Sequence, residues 1–145
     1  MSVRAVLLAT LTAAFVLAAP SPLQAQNQAA VDSAKQAAQA WLALLDADRY
    51  EDTWTEASSF FKSQIGADQW VQRIQGAHSP LDSLRSRSLV AARYTESIPN
   101  GPAGAYVIAQ YRATYGAQET VETITLKKEQ DEWGVASYVV RPRRE

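Results

Sequence analysis

Apolar residues recur at three- and four-residue steps from about residue 30 to residue 81 and at two-residue steps afterwards, so the chain reads as helices followed by strands. Val31, Ala34, Ala38, Trp41, Leu42 and Leu45 mark one face of a helix over 30–46, with Lys35, Gln36 and Gln39 on the other side. A loose lead-in is expected over 26–29. Asp46-Ala-Asp48 interrupts the stripe. Asp48 is placed to cap a second helix, and Glu51 stands three residues on, as a capping box requires. That helix runs over about 49–64 on Tyr50, Trp54, Ala57, Phe61 and Ile65, and Gly66 ends it. A third, over about 68–77, carries Trp70, Ile74 and Ala77 and stops at Ser79-Pro80, because the residue before a proline avoids the helical region.

Strands are expected over 84–97, 105–115, 119–128 and 133–140. A loop with two prolines and two glycines, 98–104, separates the first two. Gly116-Ala-Gln118 and the polar 129–132 form the later turns, and Pro142 closes the last strand. Three N-terminal helices and a four-stranded antiparallel meander make an α+β domain, with the helices covering one face of a curved sheet.

The strand register predicts which residues share a face. With Tyr115 opposite Glu119 across the turn, Arg112 faces Glu122, Gln110 faces Ile124 and Ile108 faces Leu126. Tyr106, Ile108, Gln110, Arg112, Glu122, Ile124, Leu126, Trp133, Val135 and Val139 then form the helix-covered face. Val107, Ala109, Tyr111, Ala113, Tyr115, Val121, Thr123, Thr125 and Tyr138 form the outer one. A slip of one residue would exchange the faces.

The first 25 residues stand apart from this pattern. Arg4 precedes an uncharged run over 5–19, and Pro20-Ser-Pro-Leu-Gln-Ala25 ends in a small residue. This is the layout of a Sec-type signal peptide cleaved after Ala25, with a bacterial periplasmic or secreted destination. The run is shorter than the roughly 20 residues a spanning helix needs, so no membrane span is expected after cleavage. Residues 26–145 then form one domain, with 13 basic against 15 acidic side chains. That balance supplies no basic excess for nucleic acid. The basic end Arg141-Pro-Arg-Arg144 reads as a solubilising terminus. The chain has no cysteine. Its stability therefore rests on packing without disulfides, and thiol catalysis, iron–sulfur clusters and thiolate zinc are excluded.

The order and spacing Trp41…Asp46…Tyr50…Trp54…Phe61-Lys62…Trp70…Pro80-Leu81…Arg87 resembles the bacterial exported domain-of-unknown-function family 4019. So does the later series Pro102-Ala-Gly-Ala-Tyr106, Tyr111, Glu122-Thr-Ile-Thr-Leu126, Trp133-Gly-Val135 and Tyr138. Four positions depart from the family's pattern: His78 replaces an arginine, and Asp82, Glu132 and Ser137 replace glycines. The resemblance implies a small exported protein with no assigned activity. It also implies a fold similar to the cystatin-like or nuclear-transport-factor-2-like roll. Such folds host isomerases, dehydratases, ligand carriers and structural partners alike, so the fold does not choose a function.

Candidate chemistry is sparse. His78 is the single histidine, which leaves metal binding without a second nitrogen ligand, and its place before Ser79-Pro80 reads as a surface turn. Asp46, Asp48, Glu51 and Asp52 could gather a calcium ion, but capping and the helix dipole give a plainer account. No metal or cofactor is expected. Trp41, Trp54, Trp70 and Trp133 could line a pocket, or simply fill the core. Arg87, Arg112 and Glu122 are the polar residues of most interest. On the covered face, Arg112 and Glu122 must pair or pay a desolvation cost. With Tyr106 they could orient a ligand or act as an acid–base couple. Tyr111, Tyr115 and Tyr138 on the outer face suggest an interface, such as a homodimer.

The leading expectation is an exported, non-enzymatic binding or interaction module for an unknown small molecule or protein. Two alternatives stand beside it. One is a small-molecule isomerase or hydrolase using Glu122 as a sheet-borne carboxylate. The other is a structural envelope protein that dimerises through its tyrosines.

Overall fold

The structure is a computed structural model that describes residues 17–144. Most of the apolar run assigned to a signal peptide lies outside the described residues. The elements are α1 (Pro22–Asp46), α2 (Tyr50–Thr55), α3 (Ser59–Gln64), α4 (Ala67–His78), β1 (Leu84–Thr95), β2 (Tyr106–Tyr115), β3 (Gln118–Glu129) and β4 (Glu132–Pro142). The strands form one antiparallel sheet in the order β1-β2-β3-β4, and α1 lies across it. The architecture is the expected α+β meander beneath N-terminal helices.

The helix boundaries differ from expectation at three places, each for a local reason. α1 begins at Pro22, so the expected lead-in at 26–29 is helical. Ser21 accepts from the Gln24 amide at 3.3 Å while the Gln24 side chain accepts from the Ser21 amide at 3.1 Å, a capping box completed by proline at the first helical position. At the other end of α1, Asp48 does not cap the next helix. Its φ is +58°, its N–H donates to the Leu45 carbonyl, and the Arg49 N–H donates to the Leu44 carbonyl. That pair of bonds is a Schellman stop for α1, with aspartate in the left-handed position usually held by glycine.

The expected second helix is two helices. At Ser58 the backbone becomes extended, and its N–H donates to the Val135 carbonyl of β4 at 2.9 Å, while the Ser58 hydroxyl caps α3 by accepting from the Phe61 amide. This junction covers part of the β4 edge, which would otherwise be left open for pairing. Gly134 permits the approach: a Cβ there would lie 3.0 Å from the Ser58 backbone.

The face assignment of β2 is corrected by one residue. Tyr115 pairs with Gln118, not Glu119, across a two-residue turn opened by Gly116 at φ +59°. Glycine at the first position of such a turn matches the twist of a hairpin. The shorter turn puts Tyr111 opposite Glu122 and Arg112 opposite Val121. Val107, Ala109, Tyr111, Ala113 and Tyr115 are therefore buried with Glu122, Ile124 and Leu126 on the helix side. On β4 a register shift opposite Thr125 and Leu126 brings Val135 and Tyr138 to that same side and leaves Val139 exposed. Ile108, Gln110 and Arg112 face away from the helices. Tyr106 does too, yet it is fully buried. Its hydroxyl donates to the Pro102 carbonyl, and the loop between β1 and β2 folds over its ring so tightly that a side chain at Gly101 would meet Ile98.

The core lies between α1, α2, α4 and the sheet. Trp41, Trp70 and Phe61 pack ring against ring, with centroids 6.2 Å and 4.9 Å from Trp70. Thr53 anchors them: its carbonyl accepts from the Trp41 indole at 2.8 Å and its hydroxyl from the Trp70 indole at 2.9 Å. Among the described residues, no helix is long and apolar enough to cross a membrane.

Candidate functional site

One polar cluster sits at the end of the sheet where α1 and α4 terminate. It draws one residue from each of six elements: Asp46 (the last of α1), His78 (the last of α4), Arg87 (β1), Tyr115 (β2), Glu122 (β3) and Tyr138 (β4). Glu122 is fully enclosed. Its Oε2 accepts from Arg87 Nε at 2.6 Å. Its Oε1 accepts from the Tyr115 hydroxyl at 2.6 Å, the Tyr138 hydroxyl at 2.7 Å and Arg87 Nη2 at 3.2 Å. The other edge of the Arg87 guanidinium donates to both oxygens of Asp46, at 2.6 and 2.8 Å. Arg87 is thus shared between two carboxylates in fork geometry, an arrangement lysine could not reproduce.

His78 closes the cluster. Its ring stacks on Tyr138 at 6.0 Å and meets Tyr115 edge-on at 5.8 Å. Nε2 lies 3.2 Å from the Tyr138 hydroxyl. That hydroxyl spends its proton on Glu122, so Nε2–H is the donor to Tyr138, and Nδ1 is left without a protein partner among the described residues. His78 is therefore not the surface turn residue expected from Ser79-Pro80. It is half-buried and oriented by two tyrosines.

The electrostatics follow from burial and pairing. Burial pushes the Glu122 carboxyl up, but the hydrogen bonds and charge of Arg87, joined by both tyrosine hydroxyls, outweigh it and hold the carboxyl below its usual range. Burial alone would lower Arg87, yet Asp46 and Glu122 raise it, so it stays charged. Tyr138 and Tyr115 are raised by burial and by the neighbouring Glu122, and remain neutral donors. Burial, opposed by the charge of Glu122, leaves His78 below the ordinary histidine value. Both oxygens of Glu122 are engaged by donors, Oε2 by Arg87 and Oε1 by Arg87 and two tyrosines, and its proton affinity is low. It is built to hold three donors in place rather than to accept a proton from a substrate.

The cluster opens on one side into a cleft of about 600 Å³, bounded by Asp46, Asp48, Tyr50, His78, Asp82 and Tyr115. The Tyr50 hydroxyl donates to Asp48 at 2.8 Å, and burial with that contact raises its pKa to about 12. Asp82 packs on Gly116 at the turn between β2 and β3. Among the described residues no group of three or more potential ligands is arranged to hold a metal ion. The acids singled out in the sequence have separate tasks: Asp46 holds Arg87, Asp48 takes Tyr50, and Asp52 pairs with Arg49 at 2.7 Å.

Of the candidate site and interface residues marked in the sequence, the structure brings Arg87, Glu122, Tyr115 and Tyr138 together and places Arg112, Tyr106, Tyr111 and the tryptophans elsewhere. Arg112 is exposed on the uncovered face and does not pair with Glu122. Tyr111, Tyr115 and Tyr138 are buried under the helices, so the outward tyrosine surface expected for a homodimer is not formed. Trp70 is core. Trp54 is half-buried, with its indole donating to the Ile65 carbonyl at 2.9 Å and Lys62 above its ring. Trp133 is half-buried at the start of β4, and Tyr106 lies under the β1–β2 loop. Sequence reasoning missed His78 and the role of Asp46. The usable signal was that both end a helix on the side of the sheet where Arg87 begins the first strand.

An α+β fold with a buried polar cluster beside an open acid-and-aromatic cleft is the class these features define. The chain belongs to the family described as protein of unknown function, DUF4019, whose model matches residues 37–138. The matched span runs from the middle of α1 to Tyr138 and so contains every member of the cluster. No curated protein matches the chain.

Proposed function

We propose that this chain is exported through its N-terminal segment, cleaved after Ala25, and serves outside the cytoplasm as a non-enzymatic binding or interaction module. The observation that carries the non-enzymatic reading is the closure of Glu122. Glu122, the one fully buried carboxylate among the described residues, is ionised, pinned by Arg87 and two tyrosines, and shielded from any substrate. An isomerase or hydrolase built on Glu122 would need one of its oxygens free and its pKa nearer neutrality. Both conditions run against the geometry. The cleft beside His78 is where a ligand would meet this rigid frame, because its walls are fixed from behind by the cluster. Export is supported by the charged start, the apolar run and the small residue at position 25.

The test is native mass spectrometry of protein recovered after export, paired with turnover assays on ester, amide and ketone substrates. A retained small molecule or captured protein, lost in the cleft variants His78→Gln and Asp48→Asn, is the expected result. Turnover that disappears in a folded Glu122→Gln variant would overturn the proposal.

A further inference from the structure

We infer that Gln26, the first residue once the leader is cut after Ala25, cyclises to an N-terminal pyroglutamate. This rests on the export and cleavage proposed above. In the described chain Gln26 lies in the second turn of α1, exposed to solvent. Nothing before Val31 in α1 is buried, so the start of the helix is held by its cap rather than by packing. Cleavage after Ala25 removes Ser21, Pro22 and Gln24, which together make that cap.

The helix must then restart on a new cap. Asn27 is the first residue after the cut that caps well, and asparagine ranks among the best at this position. With Asn27 as cap, Gln26 falls outside the helix. It carries a free α-amine and a carboxamide of the right length to close on it. The α-amine titrates near neutrality, so a sizeable fraction is uncharged and nucleophilic. A protonated amine would face the positive end of the α1 dipole, so losing that charge also favours the helix. In the step, the α-nitrogen lone pair attacks the side-chain carbonyl carbon Cδ and a C–N bond forms. The Cδ–Nε2 bond breaks, and ammonia departs with a proton taken from the α-nitrogen. No oxidant, reductant or second substrate is consumed.

The full chain, 1–145, expressed in a bacterial host with Sec-type export, provides the test by intact mass and stepwise N-terminal sequencing of the exported product. The expected product begins at residue 26, is lighter by one ammonia than the open chain, and is blocked to sequencing. Pyroglutamyl aminopeptidase should unblock it and expose Asn27. The Gln26→Ala variant, cut at the same bond, should show neither the mass loss nor the block. A chain that begins at Gln26 and keeps its ammonia and reactive amine after prolonged warming at neutral pH overturns the cyclisation while leaving the cleavage standing. A chain that begins elsewhere, or retains the leader, overturns the cleavage and the cyclisation with it.

Discussion

At the residue scale, Glu122 and Asp46 grip the same guanidinium from opposite sides and differ mainly in burial. The Glu122 side chain is 0 % exposed and that of Asp46 is 29 %. Removing one member of a buried pair leaves an uncompensated charge and costs about 3–5 kcal/mol, whereas a solvated pair contributes about 0.2–1 kcal/mol. Glu122→Ala should therefore cost several times more in urea melts than Asp46→Ala, and equal losses would mean that water reaches Glu122. Trp70 and Trp54 give a second contrast. Trp70 is buried, so Trp70→Ala should cost about 3–5 kcal/mol. Trp54 is half-buried and should cost clearly less, which the same melts would read. The importance of Glu122 and Arg87 was legible in the sequence because charges within a hydrophobic alternation are conspicuous. Their true partners were not. Asp46 stands 41 positions from Arg87, and Tyr138 stands 16 from Glu122. No local pattern reports such pairs.

At the scale of elements, the helical stripes and the four strands were readable because burial imposes periods of 3.6 and 2. What failed was punctuation. Counting Gly116-Ala-Gln118 as a three-residue turn instead of the two residues observed moved β2 by one position. That single step turned Tyr111, Tyr115 and Arg112 to the wrong sides. Asp48 was misread for a related reason: aspartate can both cap a helix start and occupy the left-handed stop, and only the carbonyls of Leu44 and Leu45 decide between them. The break at Ser58 was invisible because its partner, Val135, lies in the last strand. Two glycines test this picture. Gly134→Ala would push a methyl group against the Ser58 backbone and should cost about 1–3 kcal/mol. Gly76 in α4 has nothing within 4 Å of an added Cβ, and Gly76→Ala should stabilise by about 0.4–1 kcal/mol. Thermal melts of the two single variants should move in opposite directions.

At the scale of the whole molecule, the cluster sets the response to acid. His78 is below its ordinary value of 6.5 and Glu122 below 4.5. In each case the unfolded chain takes up the proton first, so stability rises with pH across the interval between folded and unfolded values. The His78 contribution is fully present above pH 6.5 and is lost as pH falls through the folded value. The Glu122 contribution is full above pH 4.5 and is lost in the same way further down. Urea midpoints should fall as pH is lowered from 7.5 to 5, and His78→Gln should flatten that slope. An unchanged slope in the variant would remove His78 from the account. With no cysteine, the midpoints should also be indifferent to reducing agent.

The joining of six elements in one cluster also bears on time. Glu122 cannot be satisfied until Asp46, Arg87 and Tyr138 have all arrived, and Tyr138 lies in β4, the last strand of the sheet. Contacts between distant parts of a sequence form late and slowly. A nascent chain that has not yet emerged in full is therefore denied its keystone and stays open. Under the export proposed above, which threads a chain unfolded through a translocation pore, that delay would keep it in a transportable state until β4 has been delivered.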